Sequence, residues 1–551
     1  MLLDFIKISI SCALAFSVAA CASHGLPKIE RDSNKTARLV VEGKPFVVLG
    51  GELLNSSGST ASDMQKHWDG LADLNLNTVL LAVAWEQIEK SEGVFDFSEI
   101  GKIISQARER KMKLVLLWFG SWKNGFSGYV PHWAMRDTKR FPRVKSKGGQ
   151  NRPCLSPFSK SVLEADKKAF VKLMEFVAEA DPSGEVVIMA QVENEIGLLD
   201  DSRDRSETAE KLFLEKVPEE LIDRVKSATV SEEISGAWVK NGKRESGSWA
   251  EVFGQENMLA DEMFMAWHYA RFVDSLAAAG KAAHNIPMFV NAWVIFPENP
   301  KPGQYPSGGP NSRMLDVWQT AAKNIDFISP DIYVADYPAK LKQFRRNGNP
   351  IFVPEACALW LGDNMSAQAK AFYTIGEFGA IGFSPFAINH RTYAKSHPLS
   401  SAYKVLKNIS GAISAAEAGK NMRGFMQTSQ KSDTLDFGDI VAKVSYAFPY
   451  KGYGLIIRLS KEDFLIAASG VYVKFSAKSG NSIAYGLVRE GGYENGEWRT
   501  SKYIGGDEGG LVNLKLPPVY LTSDASESDI SVMRAHIFEV ENTTTSNSQI
   551  F

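Results

Sequence analysis

Between about residues 36 and 415, short apolar runs alternate with amphipathic stretches. The runs are Phe46–Gly50, Thr78–Ala84, Leu114–Phe119, Val186–Gln191, Met288–Trp293, Phe327–Tyr333, Ile351–Pro354 and Ile381–Phe386. Helical patterns such as Met64–Leu74, Phe97–Arg110 and Ala165–Ala180 lie between them. Parallel strands covered on both faces read as continuous apolar runs, so eight of them separated by helices predict a (β/α)8 TIM barrel. A doubly wound open sheet is the competing topology, and the lack of a Gly-rich phosphate turn after any strand argues against it. Two insertions interrupt the pattern. Leu199–Asn257 is charged and helix-rich after the fourth strand, and Phe296–Arg313 is rich in Pro and Gly after the fifth. Both fall where strand-to-helix loops build the mouth of such a barrel. Most of their residues read as surface.

Past residue 416 the texture changes. Ile440–Phe448, Gly454–Leu459, Phe464–Ala468, Gly470–Phe475 and Ser482–Val488 are short, β-branched or aromatic, and separated by Gly, Ser and Asn turns. This predicts an antiparallel β-sandwich-like domain after the barrel, making the whole an α/β chain with a β appendage. The N-terminus has a different character again. Lys7 precedes an apolar run, Ile8–Ala20, too short for a stable membrane anchor. It ends in Val18-Ala19-Ala20-Cys21, similar to a bacterial lipoprotein box in which Cys21 is acylated; an ordinary signal peptide cut among the same small residues is the alternative. The expected division is a signal over 1–21, a linker over 22–35, the barrel over 36–415, the β domain over 416–541 and a flexible polar tail over 542–551. The expected location is the periplasm or the outer membrane, reached through the lipid anchor.

Composition narrows the chemistry. A net charge of −2 offers no footprint for nucleic acid. Of four Cys, Cys12 leaves with the signal and Cys21 is the anchor candidate, so only Cys154 and Cys357 remain and no disulfide framework exists. The eight His are scattered, without metal-ligand spacing, and neither metal nor cofactor is expected. Oligomeric state is not legible.

Carboxylates at strand ends carry the sharpest signal. Ala190-Gln191-Val192-Glu193-Asn194-Glu195-Ile196-Gly197 follows the fourth apolar run, and Phe352-Val353-Pro354-Glu355 ends the seventh. Cleaving a glycosidic bond needs an acid for the leaving oxygen and a carboxylate on the other side of the sugar. Ends of strands four and seven face each other across a barrel mouth, which suits the separation of about 5 Å found in retaining enzymes. Glu193 is read as turned away from the Glu195 side, at most a ligand for a sugar hydroxyl.

The wider pattern resembles glycoside hydrolase family 35 of clan A, in a bacterial branch with an extra C-terminal β domain. The matching stretches begin with Leu49-Gly50-Gly51-Glu52-Leu53 and Asn55-Ser56-Ser57. They continue through Trp85-Glu86-Gln87-Ile88-Glu89, Glu92-Gly93-Val94-Phe95-Asp96-Phe97 and Leu117-Trp118-Phe119-Gly120-Ser121-Trp122-Lys123-Asn124-Gly125. Arg140-Phe141-Pro142-Arg143, Ser329-Pro330-Asp331-Ile332-Tyr333, Gly382-Phe383-Ser384-Pro385-Phe386 and Gly492-Tyr493-Glu494-Asn495-Gly496-Glu497-Trp498 complete them. The resemblance implies retaining hydrolysis of terminal β-D-galactosides, with Glu195 as acid/base and Glu355 as nucleophile. It implies that Asn194 holds the sugar 2-hydroxyl and that Tyr333 donates to the nucleophile. Glu52, Asn55 and Glu86 are candidate hydroxyl ligands. Trp85, Trp118, Trp122, Trp293 and Phe386 are candidate walls for the sugar ring, each equally readable as packing. Lys123 and Asn124 sit on a loop that could reach the site. Leu54 departs from the pattern, since relatives carry His there. The expected partner is a carbohydrate, with side chains of a plant polysaccharide as one source. Two other readings stay open: another clan A retaining activity (β-glucosidase, β-mannosidase or endo-glycanase) and a surface lipoprotein that binds glycans without cleaving them.

Overall fold

The computed structural model describes residues 25–31, 37–227, 229–357, 366–390, 397–447, 451–505, 514–516 and 529–541. The signal segment with Cys21 and the tail 542–551 lie outside the described residues.

Eight parallel strands form the barrel: β1 (Val48–Glu52), β2 (Thr78–Ala84), β3 (Lys113–Lys123), β4 (Val187–Asn194), β5 (Met288–Trp293), β6 (Phe327–Asp331), β7 (Phe352–Val353) and β8 (Gly382–Phe383). Their order around the sheet is β6-β5-β4-β3-β2-β1-β8-β7. A parallel bridge between Ile332 and Ala356 joins the two ends and closes the ring. The apolar runs form these strands because each must fill both faces. Along β3, Val115, Leu117 and Phe119 point into the barrel, where Phe289, Phe327 and Phe352 pack on one another. Leu114, Leu116 and Trp118 alternate outward against the helices. Among those helices, Lys160–Ala180 and Leu259–Ala283 pack side by side.

Residues 28–31, assigned to a linker by sequence, form a strand instead. Lys28–Arg31 pairs antiparallel with Ala37–Val41, which also pairs with Lys44–Pro45. Leu39 and Val41 join the barrel's interior core with Val48, at the end opposite the mouth. The apolar alternation of Ala37–Val41 accounts for this sheet. It plugs the bottom of the barrel.

The insertion after β4 folds into helices Glu207–Phe213, Glu219–Lys226, Glu232–Lys240 and Trp249–Phe253. It is tied to the insertion after β5 by the Leu198–Ser307 bridge and by Asp200 N donating to Gly303 O (2.8 Å). The two insertions thus make one wall beside the mouth.

Past the barrel, a six-stranded and a four-stranded antiparallel sheet enclose a separate core that includes Phe425, Ile456, Phe464, Ile466 and Phe475. The six-stranded sheet is buried on its other face as well. Tyr453, Leu455 and Ile457 belong to the barrel's outer core, Phe372 packs on Tyr453, and Arg423 forms a two-pronged pair with Glu377 (3.0 and 2.9 Å). The β domain is therefore seated on helix Ala367–Phe378, which follows β7.

Candidate active site

The end of β4 is where the chain departs from regular strand geometry. In an extended segment Glu193 and Glu195 would share a face, being two residues apart. Positive φ at both, +63° and +44°, breaks that alternation. Glu193 turns outward as expected, but the cause is this backbone twist. Its carboxylate accepts from Ser121 N (3.2 Å) and Trp122 N (2.8 Å), and it is hydrogen-bonded to Asp166. Asp166 in turn accepts from Trp118 Nε1 (2.8 Å), Ser121 N (2.9 Å) and the Ser121 hydroxyl. Burial, then the neighbouring Asp166, pushes Glu193 well above the usual carboxylate range, so this pair holds a proton. A Cβ at Gly120 would lie 2.7 Å from Glu193 Oε1 and 2.9 Å from Asp166 Oδ1, so only glycine admits the pair there. Glu193 is a structural clamp between β3 and β4, which corrects its reading as a sugar ligand.

Glu195 and Glu355 come together at the mouth. Together with Asp331 they place carboxylate oxygens within 4.8 Å of one another. Both glutamates are almost fully buried, at 6% and 4% exposure. Tyr333 OH donates to Glu355 Oε2 (2.8 Å), and Asn194 Nδ2 and Asn291 Nδ2 donate to Oε1 (3.3 and 3.2 Å). Asn124 Nδ2 donates to Glu195 Oε2 (2.9 Å), and Lys123 Nζ donates to Asn194 Oδ1 (2.8 Å). Asn291 Oδ1 accepts from Glu195 N (2.9 Å), which fixes which way that amide points.

The electrostatics follow from four carboxyls sharing one buried ammonium. Burial, then Glu355, raises Glu195 to about 7, while Lys123 and a hydrogen bond to Asp331 work in the other direction. Burial, then Glu355, drives Glu52 well above its ordinary value as well. Burial opposes the charge on Lys123, but Glu355, Glu195, Glu52 and Asp331 together hold its pKa above the usual value. Lys123 also lies over the Phe119 ring at 4.9 Å. Glu195, Asp331 and Glu355 are the one grouping of three carboxylate, His or Cys ligands among the described residues that converges in this way. Glu355 and Asp331 already accept from asparagine and tyrosine donors there, so we assign the grouping no metal.

Other expected residues divide. Both carboxylate oxygens of Glu52, 1% exposed, lack a hydrogen-bond partner, and so does the buried Oδ1 of Asn55. Most buried acceptors in folded proteins have a donor, so these atoms set Glu52 and Asn55 apart from most of the other carboxyl and amide groups of the mouth. Trp293 and Phe386 are half-buried at the ends of β5 and β8, and Glu86 is half-buried on the short helix Trp85–Ile88 after β2. Trp85, Trp118 and Trp122 are not walls of the site. They are 0–1% exposed in the outer core, and their indole N–H groups donate to Glu89 Oε2, Asp166 Oδ1 and Leu155 O. Trp118 is outward by strand parity, between inward Leu117 and Phe119, a signal present in the sequence. Lys123 and Asn124, expected only to approach, contact the site directly. Asp331 and Asn291 were not singled out from the sequence, although each is a polar residue set within an apolar run. Leu54 donates its N–H to Asn389 Oδ1 (3.0 Å). Cys154 and Cys357 are both buried and free, so they form no bridge.

The solved structure of a beta-galactosidase from Bacillus circulans sp. alkalophilus is 15% identical, matched over 68% of this chain and 58% of its own, at a TM-score of 0.46. A beta-galactosidase from Rahnella sp. R3 is 14% identical over the same shares, also at 0.46. The catalytic domain of a beta-amylase from Paenibacillus polymyxa is 13% identical, matched over 66% of this chain and 99% of its own, at 0.44. The chain thus spans less than two thirds of the length of the first two. No curated protein matches it. Residues 399–513 match a domain of unknown function. Residues 59–352, more than half of the chain, match the glycoside hydrolase 42 family, described as beta-galactosidase. Family 35, expected from the motifs, gives way to this one within the same clan A. The chain belongs to the glycoside hydrolase 42 family.

Proposed function

We propose that the protein is a retaining exo-β-galactosidase in which Glu355 is the nucleophile and Glu195 the acid/base. The observation that carries this reading is that one carboxyl oxygen of Glu195 lies within 4.8 Å of one of Glu355, with Tyr333 and Asn194 donating to Glu355 and not to Glu195. Such closeness suits the retaining arrangement, where the carboxyls are about 5–5.5 Å apart, better than the wider gap of about 6.5–9.5 Å in which an inverting enzyme holds a water. Glu355 attacks C1 while Glu195 protonates the glycosidic oxygen, and the C1–O bond breaks to leave a galactosyl ester. Glu195, now a carboxylate, takes a proton from water as that water attacks C1 and releases Glu355. A value near 7 suits both halves of this cycle. Asn194, held by Lys123, is placed to donate to the 2-hydroxyl. Glu52 and Asn55 accept from other hydroxyls, and Trp293, Phe386 and Glu86 complete the rim. The wall made by the two insertions suits a pocket for a terminal sugar.

The substrate is a β-galactoside, with plant polysaccharide side chains as one source. Acylated Cys21 would carry the enzyme to the outer membrane, and mass spectrometry of the mature N-terminus reads that directly. A panel of aryl β-glycosides tests the sugar. Galactoside should be turned over well ahead of glucoside, mannoside, fucoside and arabinoside, with the β-anomer released first in NMR. A preference for another sugar would leave the mechanism and overturn the substrate; α-anomer released first would overturn the mechanism.

A further inference from the structure

Asp331 closes β6, is 1% exposed, and is neither the nucleophile nor the acid/base of the proposed reaction. Its Oδ2 accepts from Asn291 Nδ2 (2.8 Å), yet its Oδ1, equally buried, has no N–H or O–H donor. One of its carboxyl oxygens lies within 4.8 Å of one of Glu195, and the two acids bear on each other's charge. Two carboxyl groups form a hydrogen bond only when one carries a proton.

We propose that Asp331 works as a neutral carboxylic acid, a positioning residue whose O–H donates to the Glu195 carboxylate formed when the leaving oxygen is protonated. This rests on Glu195 being the acid/base. The charged and titratable groups that bear on Asp331 decide which partner keeps the proton. Glu195 lies on the β4 side, Glu355 after β7, Glu52 at the end of β1, Lys123 at the end of β3, and Tyr333 two residues along its own segment. Burial, then Glu355, Glu195 and Glu52, all drive Asp331 upward. Glu195, in contrast, feels the Lys123 charge and accepts from Asn124, both of which favour its ionised form. The proton balance is simple. Glu195 gives its own proton to the glycosidic oxygen and later recovers one from water, while Asp331 keeps its proton throughout. An apolar, crowded site can hold a carboxylic acid neutral at pH 7 so that it donates a hydrogen bond, as the handling of an oxyanion by a protonated aspartic acid in another enzyme class illustrates.

The test compares pH profiles of kcat/KM for Asp331→Asn and Asp331→Leu on an aryl β-galactoside with a poor leaving group, after thermal melts show both variants folded. Asparagine is neutral and keeps a donor, so its basic limb should stay within about 0.3 pH unit of the parent. Leucine removes the donor, so the limb should move up by about one to two units, with kcat/KM on the poor leaving group falling about 10- to 100-fold. If Asp331 were ionised, Asp331→Asn would delete a negative charge and move the limb down by about a unit, which overturns the proposal. Identical profiles for all three proteins would overturn it too. The infrared difference spectrum of parent minus Asp331→Asn should contain one protonated-carboxyl C=O band, those of Glu195, Glu52 and the Glu193–Asp166 pair cancelling, and a difference spectrum without it counts against the idea. Glu195→Ala separates the two levels. With a good leaving group it should lack the basic limb altogether, and a limb that survives there overturns the acid/base assignment together with this inference.

Discussion

At the scale of single residues, the pair Glu195 and Glu355 makes two predictions with opposite substrate dependence. Glu355→Ala should lower kcat by about four orders of magnitude or more, since no ester can form. Azide should restore turnover and give a product of inverted configuration, read by NMR. Glu195→Ala should reduce kcat/KM for poor leaving groups by about 10²–10⁴-fold and leave activated aryl galactosides far less affected. A flat dependence on leaving-group acidity would remove Glu195 from the acid role. In the parent enzyme, the basic limb of the profile should fall near the value of about 7 set by burial and by Glu355. The proposed roles fall on residues whose types and positions were readable: a carboxylate after each of two apolar runs. Asp331 was equally visible as a charged residue within an apolar run. Its task depends on what lies opposite, and only the closed ring brings β6 against β4 and β7.

At the scale of elements, strand parity and its local failure decide the site. The inward set Val115, Leu117 and Phe119 could be taken from alternation alone, and it already removes Trp118 from the mouth. At the end of β4, alternation would instead have put Glu193 beside Glu195. The positive φ values that prevent this are held by contacts from β3 and from helix Lys160–Ala180, through Ser121, Trp122 and Asp166. No local pattern records such contacts. Glu193→Ala would strand the Ser121 and Trp122 N–H groups in the core and leave Asp166 without its partner, at a cost of about 2–5 kcal/mol. Chemical denaturation should register this as a lowered midpoint, with kcat falling because Glu195 loses its support. A variant with an unchanged midpoint and a raised KM would return Glu193 to the sugar site.

At the scale of the whole molecule, the barrel concentrates buried acids at one end. Glu52, Glu195 and Asp331 at the mouth and the Glu193–Asp166 pair below it all have pKa values raised by burial in the first place. A carboxyl whose folded value is raised binds protons more tightly in the native state than in the unfolded chain. Its contribution to stability is therefore full below the unfolded value and is lost as pH rises through the folded one. For Glu195, about 7 against an ordinary 4.5, the contribution is on the order of 3 kcal/mol. Folding stability should thus decline between about pH 5 and about pH 8, and Glu195→Gln should decline less steeply. Denaturant midpoints measured across that range check it; parallel curves would mean that Glu195 titrates alike in both states.

The β domain belongs to this scale as well. Its strands were legible as short β-branched runs, but the burial of the six-stranded sheet on both faces was not, because Leu455 and Ile457 read as ordinary alternation until helix Ala367–Phe378 covers them.

By itself, then, the sequence determined the eight apolar runs, the change to antiparallel β structure past the barrel, and the two carboxylates that close strands four and seven. Each of these follows from local periodicity and residue type. Tertiary structure alone decided that Ala37–Val41 plugs the barrel with residues 28–31 paired along it, that Glu193 clamps β3 to β4, and that Lys123 and Asp331 join the mouth. Those outcomes depend on burial and on charges far apart in the chain, and a carboxyl's proton is set by the neighbours that closure of the ring brings to it.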